Sequence, residues 1–307
     1  MNILNYFIDR FPIEWKILEA FDKIANDFLN MIVFLLSKFG SGEIVFAIIL
    51  FIYYVVDKKL GKKLAYILGS SFIVNGILKS LFLAKRPFQF EEHKDLKKLD
   101  DSMDNSTGTS FPSGHSQNAG TIYTAIYFNN KKKWIKGLCI AALIIVPLTR
   151  LYLGVHFPGD VIVGLLVGIL ITLVLNRIYD KINHTKKYYI IALLFAVLSL
   201  PTMIINFNNP AVADLYKSFG LYGAIILGFW IEEKYINFTH QVPVKFLALR
   251  LLIGAGLVLG LKSGLKLVFP NHNVFHMIRY FIMSFAGIAL VPFLFKKEGK
   301  NEERFGL

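Results

Sequence analysis

Lys79 and Arg86 are seven residues apart, close to two turns of an α-helix, so both cations fall on one face. Pro87 follows and discourages the helix from continuing. A second stretch, Phe111-Pro112-Ser113-Gly114-His115, puts proline at a helix start, serine as a cap and glycine where a ligand must come close. That combination suits an anion held on free backbone N–H groups. In a third stretch, Thr149 to Asp160, Arg150 precedes His156 and Asp160, which are four residues apart. A carboxylate at that spacing can meet the imidazole across one helical turn, fix its tautomer and support its positive form.

The elements that must position these residues follow from composition. Hydrophobic residues make up 55% of the 307 and charged residues 18%, with a mean hydropathy of +0.52. Globular proteins carry roughly 25% charged residues. A soluble fold, intrinsic disorder, collagen and a disulfide scaffold are therefore excluded, and a multi-pass membrane protein is expected. The net charge of +13 would suggest nucleic acid in a soluble chain, but the basic residues cluster between apolar runs. That pattern marks the flanks of membrane spans, and no nucleic-acid partner is expected. The single Cys139 allows neither an intramolecular disulfide nor a cysteine-rich metal site. Met1–Lys16 lacks the basic start and apolar block of a cleaved signal peptide.

A helical span needs about 20 apolar residues. Nine candidates meet or approach this, near 31–56, 62–83, 114–129, 134–151, 157–176, 188–206, 217–232, 246–268 and 274–295. The expected fold is all-α, a polytopic transmembrane helical bundle of about nine spans. Residues 1–60 would form an interfacial helix and the first span, 61–183 a catalytic core, and 184–307 an extension of about four spans. Basic turns around Lys58–Lys63, Lys131–Lys136 and Arg177–Lys187, with the tail after Lys296, fall on one side, which should be cytoplasmic. The N-terminus is then outside and the C-terminus inside, in a cell membrane.

With that topology all three charged stretches reach the outer face. Lys79 lies inside an apolar span, where an unpaired cation costs ~3 kcal/mol. Three cations, two histidines, one aspartate and a helix N-terminus at one level describe a site for a doubly charged phosphate. The lack of a carboxylate cluster argues against a two-metal hydrolase, and no cofactor is expected.

These residues resemble the type-2 phosphatidic acid phosphatase superfamily, whose three motifs read KxxxxxxRP, PSGH and SRxxxxxHxxxD. Lys79, Arg86 and Pro87 match the first, Pro112 to His115 the second, and Arg150, His156 and Asp160 the third. Thr149 stands where the family usually has serine and keeps the hydroxyl. The resemblance covers Gly61 to Asp180. It implies a metal-independent phosphohydrolase in which His156 attacks phosphorus and forms a phosphohistidine. Asp160 would orient His156, and His115 would protonate the leaving oxygen. Lys79, Arg86, Ser113, Gly114 and Arg150 would hold the phosphoryl oxygens.

The implied substrate is a membrane lipid phosphate: phosphatidic acid, phosphatidylglycerol phosphate, a polyprenyl pyrophosphate or a sphingoid phosphate, with a sugar phosphate also open. A phosphotransferase that passes the group to a lipid or sugar acceptor is an alternative, and so is a non-catalytic phospholipid transporter or flippase. In the extension, Lys262, Lys266, His272, His276 and Arg279 are expected to form a second basic patch, a possible second anion site or an ordinary snorkelling cluster. His184, His240 and His93, the last beside Glu91, Glu92 and Asp95, are read as solvated. The loop Phe88–Ser110 lies between the first two motifs, as a lid would, and contains the sequon Asn105-Ser106-Thr107. Oligomeric state is left open.

Overall fold

The computed structural model describes residues 10–96, 108–182, 186–239 and 244–294. Among these residues the secondary structure is entirely helical. Each of the nine apolar segments is largely helical over its described residues, the first of them broken at Ser41. Seven helices are long and apolar enough to cross a membrane, and Asp27–Gly40 with Gly42–Val56 passes the same test as a pair broken at Ser41. The segment 114–129 forms a helix of 16 residues that is not among them. Its Ser116, Gln117, Asn118, Thr121 and Thr124 are buried, so it is an internal helix whose polar residues face protein.

The chain divides into two compact units, Met1–Val45 with Val74–Lys181, and Phe46–Ile73 with Ile182–Leu307. In the first unit, α1 (Pro12–Lys23) and α2 (Asp27–Ser37) precede the break. Next come α3 (Gly42–Phe51) and α4 (Lys58–Phe82), each divided between the units. α5 (Gly114–Asn129), α6 (Lys133–Tyr152) and α7 (Pro158–Lys181) complete the first unit.

α1 begins at Pro12, whose fixed φ suits a first helical position, and Glu14 Oε2 accepts from the Phe11 N–H at 3.4 Å. Expected as an interfacial helix, α1 buries one face against protein: Leu18 is fully enclosed with Leu151, Phe157 and Val161. Asn26 caps α2 by accepting from the Leu29 N–H at 3.0 Å. The break after α2 is held from α5, where Asn118 donates to the Gly40 carbonyl at 2.9 Å and Tyr123 to that of Phe39 at 2.9 Å.

α5 and α7 meet backbone to backbone through glycines. A Cβ on Gly164 would stand 2.5 Å from the Ser113 carbonyl oxygen, and one on Gly120 2.5 Å from that of Leu165. Gly168 approaches Gln117 in the same way. Close approach of small residues is how helices associate where no hydrophobic drive separates protein from lipid. Thr172 Oγ1 adds a hydrogen bond to the Thr121 carbonyl at 3.0 Å.

The second unit contains α8 (Lys186–Ile205), α9 (Ala213–Ile231), α10 (Val244–Val268), α11 (Asn273–Phe285) and the short α12 (Val291–Leu294). Gly220 brings α9 onto the Met277 backbone, and Asn273 donates to the carbonyls of Phe207 and Asn209, both at 3.0 Å. Two cations counted above among the loops are paired here: Lys58 with Glu232 at 2.7 Å, and Lys62 with Glu233. Exposed Leu193, Ile204, Leu252 and Leu267 leave α8 and α10 the apolar outer surface that a bilayer requires.

Candidate active site

The site lies wholly within the first unit. Lys79 lies in the last turn of α4 and is buried, as are Arg86 and Arg150. The helical face expected to carry both Lys79 and Arg86 does not form: α4 stops at Phe82, Leu83 takes a positive φ of 46°, and Arg86 follows in extended backbone ahead of Pro87. Ser113 caps α5, with His115 one residue inside the helix. α6 stops after Tyr152, where Gly154 takes a positive φ of 66° and turns the chain toward α7. That turn presents His156, and the first turn of α7 presents Asp160.

Arg86 uses its whole guanidinium fork. Its Nη1 donates to the Val155 carbonyl at 3.0 Å and lies 3.1 Å from His156 Nε2. Its Nε donates to the Gly108 carbonyl at 3.1 Å and its Nη2 to that of Thr109 at 3.4 Å. One side chain thus ties the loop before α5 to the turn before α7. A lysine has no planar fork with which to do so.

The opposite edge of His156 faces a hydroxyl. Ser110 Oγ lies 3.3 Å from His156 Nδ1 and donates to Asp160 Oδ2 at 2.5 Å. His156 Nδ1 and Asp160 Oδ2 are themselves 3.7 Å apart. Asp160 Oδ2 also accepts from the Phe157 N–H at 3.0 Å, and Asp160 Oδ1 faces Arg10 Nη1 at 3.1 Å. The turn that carries His156 lies between two spanning helices. Burial pushes its imidazole well below the ordinary histidine value, and the charges of Arg86, Arg150 and Lys79 push it the same way.

His115 has Arg150, His156, Arg86 and Lys79 as electrostatic neighbours. Six ionisable groups from three separated stretches, Lys79, Arg86, His115, Arg150, His156 and Asp160, therefore share one enclosed region. Arg150 donates to Ser37 Oγ on α2. Ser113 Oγ accepts from the Ser116 N–H at 3.4 Å, while the Ser113 N–H donates to the Asp160 carbonyl at 2.9 Å. Among the described residues a Cβ on Gly114 would meet only Asn75 Oδ1, at 3.5 Å, which leaves room for a ligand at the start of α5. Asn75 itself donates to Gln117 Oε1 at 2.8 Å and holds α4 against α5.

Ser110, Arg10, Asn75 and Gln117 were not among the residues singled out from sequence. A polar residue inside an apolar segment is the signal for the last two, while Ser110 is one of several hydroxyls in its loop and Arg10 carries no motif. Among the described residues no group of three or more His, Cys, Asp or Glu is placed to hold a metal ion.

The second basic patch belongs to the other unit. His276 has Lys217, Arg279, Asp214 and His272 as neighbours, and Arg279 hydrogen-bonds His276. Lys262 and Lys266 on α10 are exposed. His272 caps α11, its Nδ1 accepting from the Val274 N–H at 3.3 Å. Expected to be solvated, His93 instead stacks on Trp15 with ring centroids 3.8 Å apart. His184, His240, the sequon at Asn105 and 97–107 of the loop between the first motifs lie outside the described residues.

Residues 60–184 match the model of the PAP2 superfamily, and residues 216–303 that of its phosphatase transmembrane extension. Most of the extension expected over 184–307 thus falls within a second model of the same superfamily. The chain is 30% identical over 160 residues to an undecaprenyl-diphosphatase of Sulfolobus acidocaldarius, covering 52% of this chain and 73% of that protein. It is 32% identical over 87 residues to phosphatidylglycerophosphatase B of Bacillus subtilis, where the match spans 25% of this chain and 43% of the relative. A solved Bacillus subtilis transmembrane PAP2-type phosphatidylglycerolphosphate phosphatase aligns with a TM-score of 0.49 and 24% identity, covering 60% of this chain and 94% of that one.

Proposed function

The chain belongs to the PAP2 superfamily, as a multi-pass membrane phosphohydrolase, and from that premise we propose that it is a metal-independent lipid phosphatase working through a phosphohistidine. The substrate is a phosphomonoester or pyrophosphate on an amphiphile, the shared chemistry of the phosphatidylglycerophosphate and undecaprenyl diphosphate named for its relatives. The observation that carries this reading is the two-sided setting of His156, with Arg86 Nη1 3.1 Å from Nε2 and Ser110 3.3 Å from Nδ1.

That setting supports one tautomer. Ser110 spends its proton on Asp160, so its oxygen accepts from Nδ1–H, and Nε2 is left unprotonated, its lone pair accepting from Arg86 Nη1 until a phosphoryl group takes that donor's place. Nε2 attacks phosphorus, the bond to the leaving oxygen breaks, and His115 gives that oxygen its proton. The phosphoryl group is then on His156. Neutral His115 takes a proton from water, whose oxygen attacks phosphorus, releasing inorganic phosphate and restoring both histidines. Lys79, Arg86, Arg150 and the open N–H groups at Gly114 stabilise the charge on the three phosphoryl oxygens, the main task in phosphoryl transfer.

Basic turns on the opposite side from the three motifs support an active site and N-terminus outside and a C-terminus in the cytoplasm of a cell membrane. The test is free-phosphate release by detergent-purified protein in EDTA, with phosphatidic acid, phosphatidylglycerol phosphate, undecaprenyl diphosphate and glucose 6-phosphate. Release by wild type and its loss in His156→Ala is expected. Release that needs an added divalent metal, or that survives in His156→Ala, would refute the reading.

A further inference from the structure

We propose that Arg10 is a positioning residue of this site, holding one carboxylate oxygen of Asp160 so that the other stays turned toward Ser110 and His156. The inference rests on the phosphatase reading and adds a component from outside the three motifs. Arg10 Nη1 lies 3.1 Å from Asp160 Oδ1, and both side chains are 0% exposed. A carboxylate withdrawn this far from water stays ionised only with a close positive partner and good hydrogen bonds. Phe157 N–H and Ser110 Oγ–H supply the hydrogen bonds to Oδ2, which leaves Oδ1 to Arg10.

The backbone argues that this placement is imposed. Arg10 has a φ of 51°, in the left-handed region that favours glycine, and a non-glycine residue persists there when its surroundings over-determine it. Its guanidinium also lies over the Phe157 ring, 4.2 Å from the centroid. α1, which follows directly, is anchored to the same place. Glu14 Oε1 accepts from the Gly159 N–H at 2.8 Å, and Trp15 packs edge-on to Phe157 with centroids 4.8 Å apart. Two side chains of one N-terminal segment thus grip adjacent residues of the His156–Asp160 turn.

Among the described residues, the charged and titratable groups around the pair are Arg86, Lys79, Arg150 and His115, which neighbour His156, and Glu14, which faces Gly159. The partners that favour the ionised form of Asp160 are Arg10, Ser110 and the Phe157 N–H, with the Arg10 charge the foremost of them. Removing the Arg10 charge makes Asp160 easier to protonate and so loosens its hold on Ser110 and His156, so activity fails at a higher pH.

The experiment measures kcat, KM and the pH profile of phosphate release from short-chain phosphatidic acid, using the full chain in detergent. Wild type, Arg10→Met, Arg10→Gln and Arg10→Lys are compared, each checked for a monodisperse peak. Arg10→Met is expected to lower kcat roughly 10- to 100-fold with KM changed by about twofold at most. The acid limb of kcat/KM moves up, and Arg10→Lys recovers most of both losses. Arg10→Gln reads the same outcome if the methionine variant does not fold. Wild-type kcat and acid limb in the uncharged variants would overturn the proposal, as would equal losses in the lysine and uncharged variants with the limb unmoved. Wild type is read first: if it released no phosphate, the functional reading itself would fall, and this inference with it.

Discussion

The hydroxyl of Ser110 stands between Asp160 and His156, 2.5 Å from Asp160 Oδ2 and 3.3 Å from His156 Nδ1, while those two atoms are 3.7 Å apart. His156 lies in the turn ahead of α7 and Asp160 in the first turn of that helix, and the contact between them passes through a hydroxyl supplied by the loop ahead of α5. Ser110 N–H donates to the Ala84 carbonyl at 2.8 Å, which fixes that loop against the end of α4.

Ser110→Ala removes the link without adding bulk. We expect kcat to fall by roughly 10- to 100-fold with KM little changed, because the hydroxyl orients the nucleophile and does not bind substrate. Steady-state phosphate release checks this, with Ser110→Thr as the variant that keeps the hydroxyl. A rise in KM at unchanged kcat would instead make Ser110 a substrate-binding group.

The pH profile follows from the His156 environment. Burial, then Arg86, Arg150 and Lys79, hold its imidazole well below the ordinary value, and the neutral form is the nucleophile. As pH falls, His156 therefore stays reactive past the point where a solvated histidine has taken its proton. The acid limb of kcat/KM, which reports the free enzyme, should lie below about pH 6.5. Arg86→Gln removes one of the depressing charges and should move that limb upward.

The glycine contact between α5 and α7 predicts where bulk is refused. Gly164→Ala places a Cβ 2.5 Å from the Ser113 carbonyl oxygen and should destabilise by about 1–3 kcal/mol. Gly256→Ala, in a helix with nothing within 4 Å of the added Cβ, should be neutral or slightly stabilising, by up to about 1 kcal/mol. Thermal melts in detergent compare the two, and equal melting temperatures would remove the packing argument.

The groups that carry charge were legible because the membrane makes them expensive. Lys79, Arg86, Arg150, His156 and Asp160 stand out in apolar surroundings, although the helical spacing read for two pairs does not hold, since Arg86 and His156 lie in the non-helical segments after α4 and before α7. Nine apolar segments gave the helices for the same reason. The groups that orient them were not legible, because their chemistry is ordinary and their partners are distant in the chain. Ser110 is one hydroxyl in a loop rich in them, and Arg10 meets Asp160 only because α1 docks beside the turn. α1 itself read as an interfacial helix, since its apolar residues Trp15, Leu18 and Phe21 suit lipid as well as they suit Leu151 and Phe157. Gly120, Gly164 and Gly168 matter for what they lack, and only the packed pair of helices reveals it.

The most direct measurement is to trap the phosphoryl enzyme. Protein in EDTA is mixed with radiolabelled lipid phosphate, quenched in alkali within milliseconds, and the labelled peptide is identified. The expected result is an acid-labile, alkali-stable label on the peptide containing His156, present in wild type and absent in His156→Ala. Rapid turnover with no label on any histidine, or an undiminished label in His156→Ala, would contradict nucleophilic attack by His156.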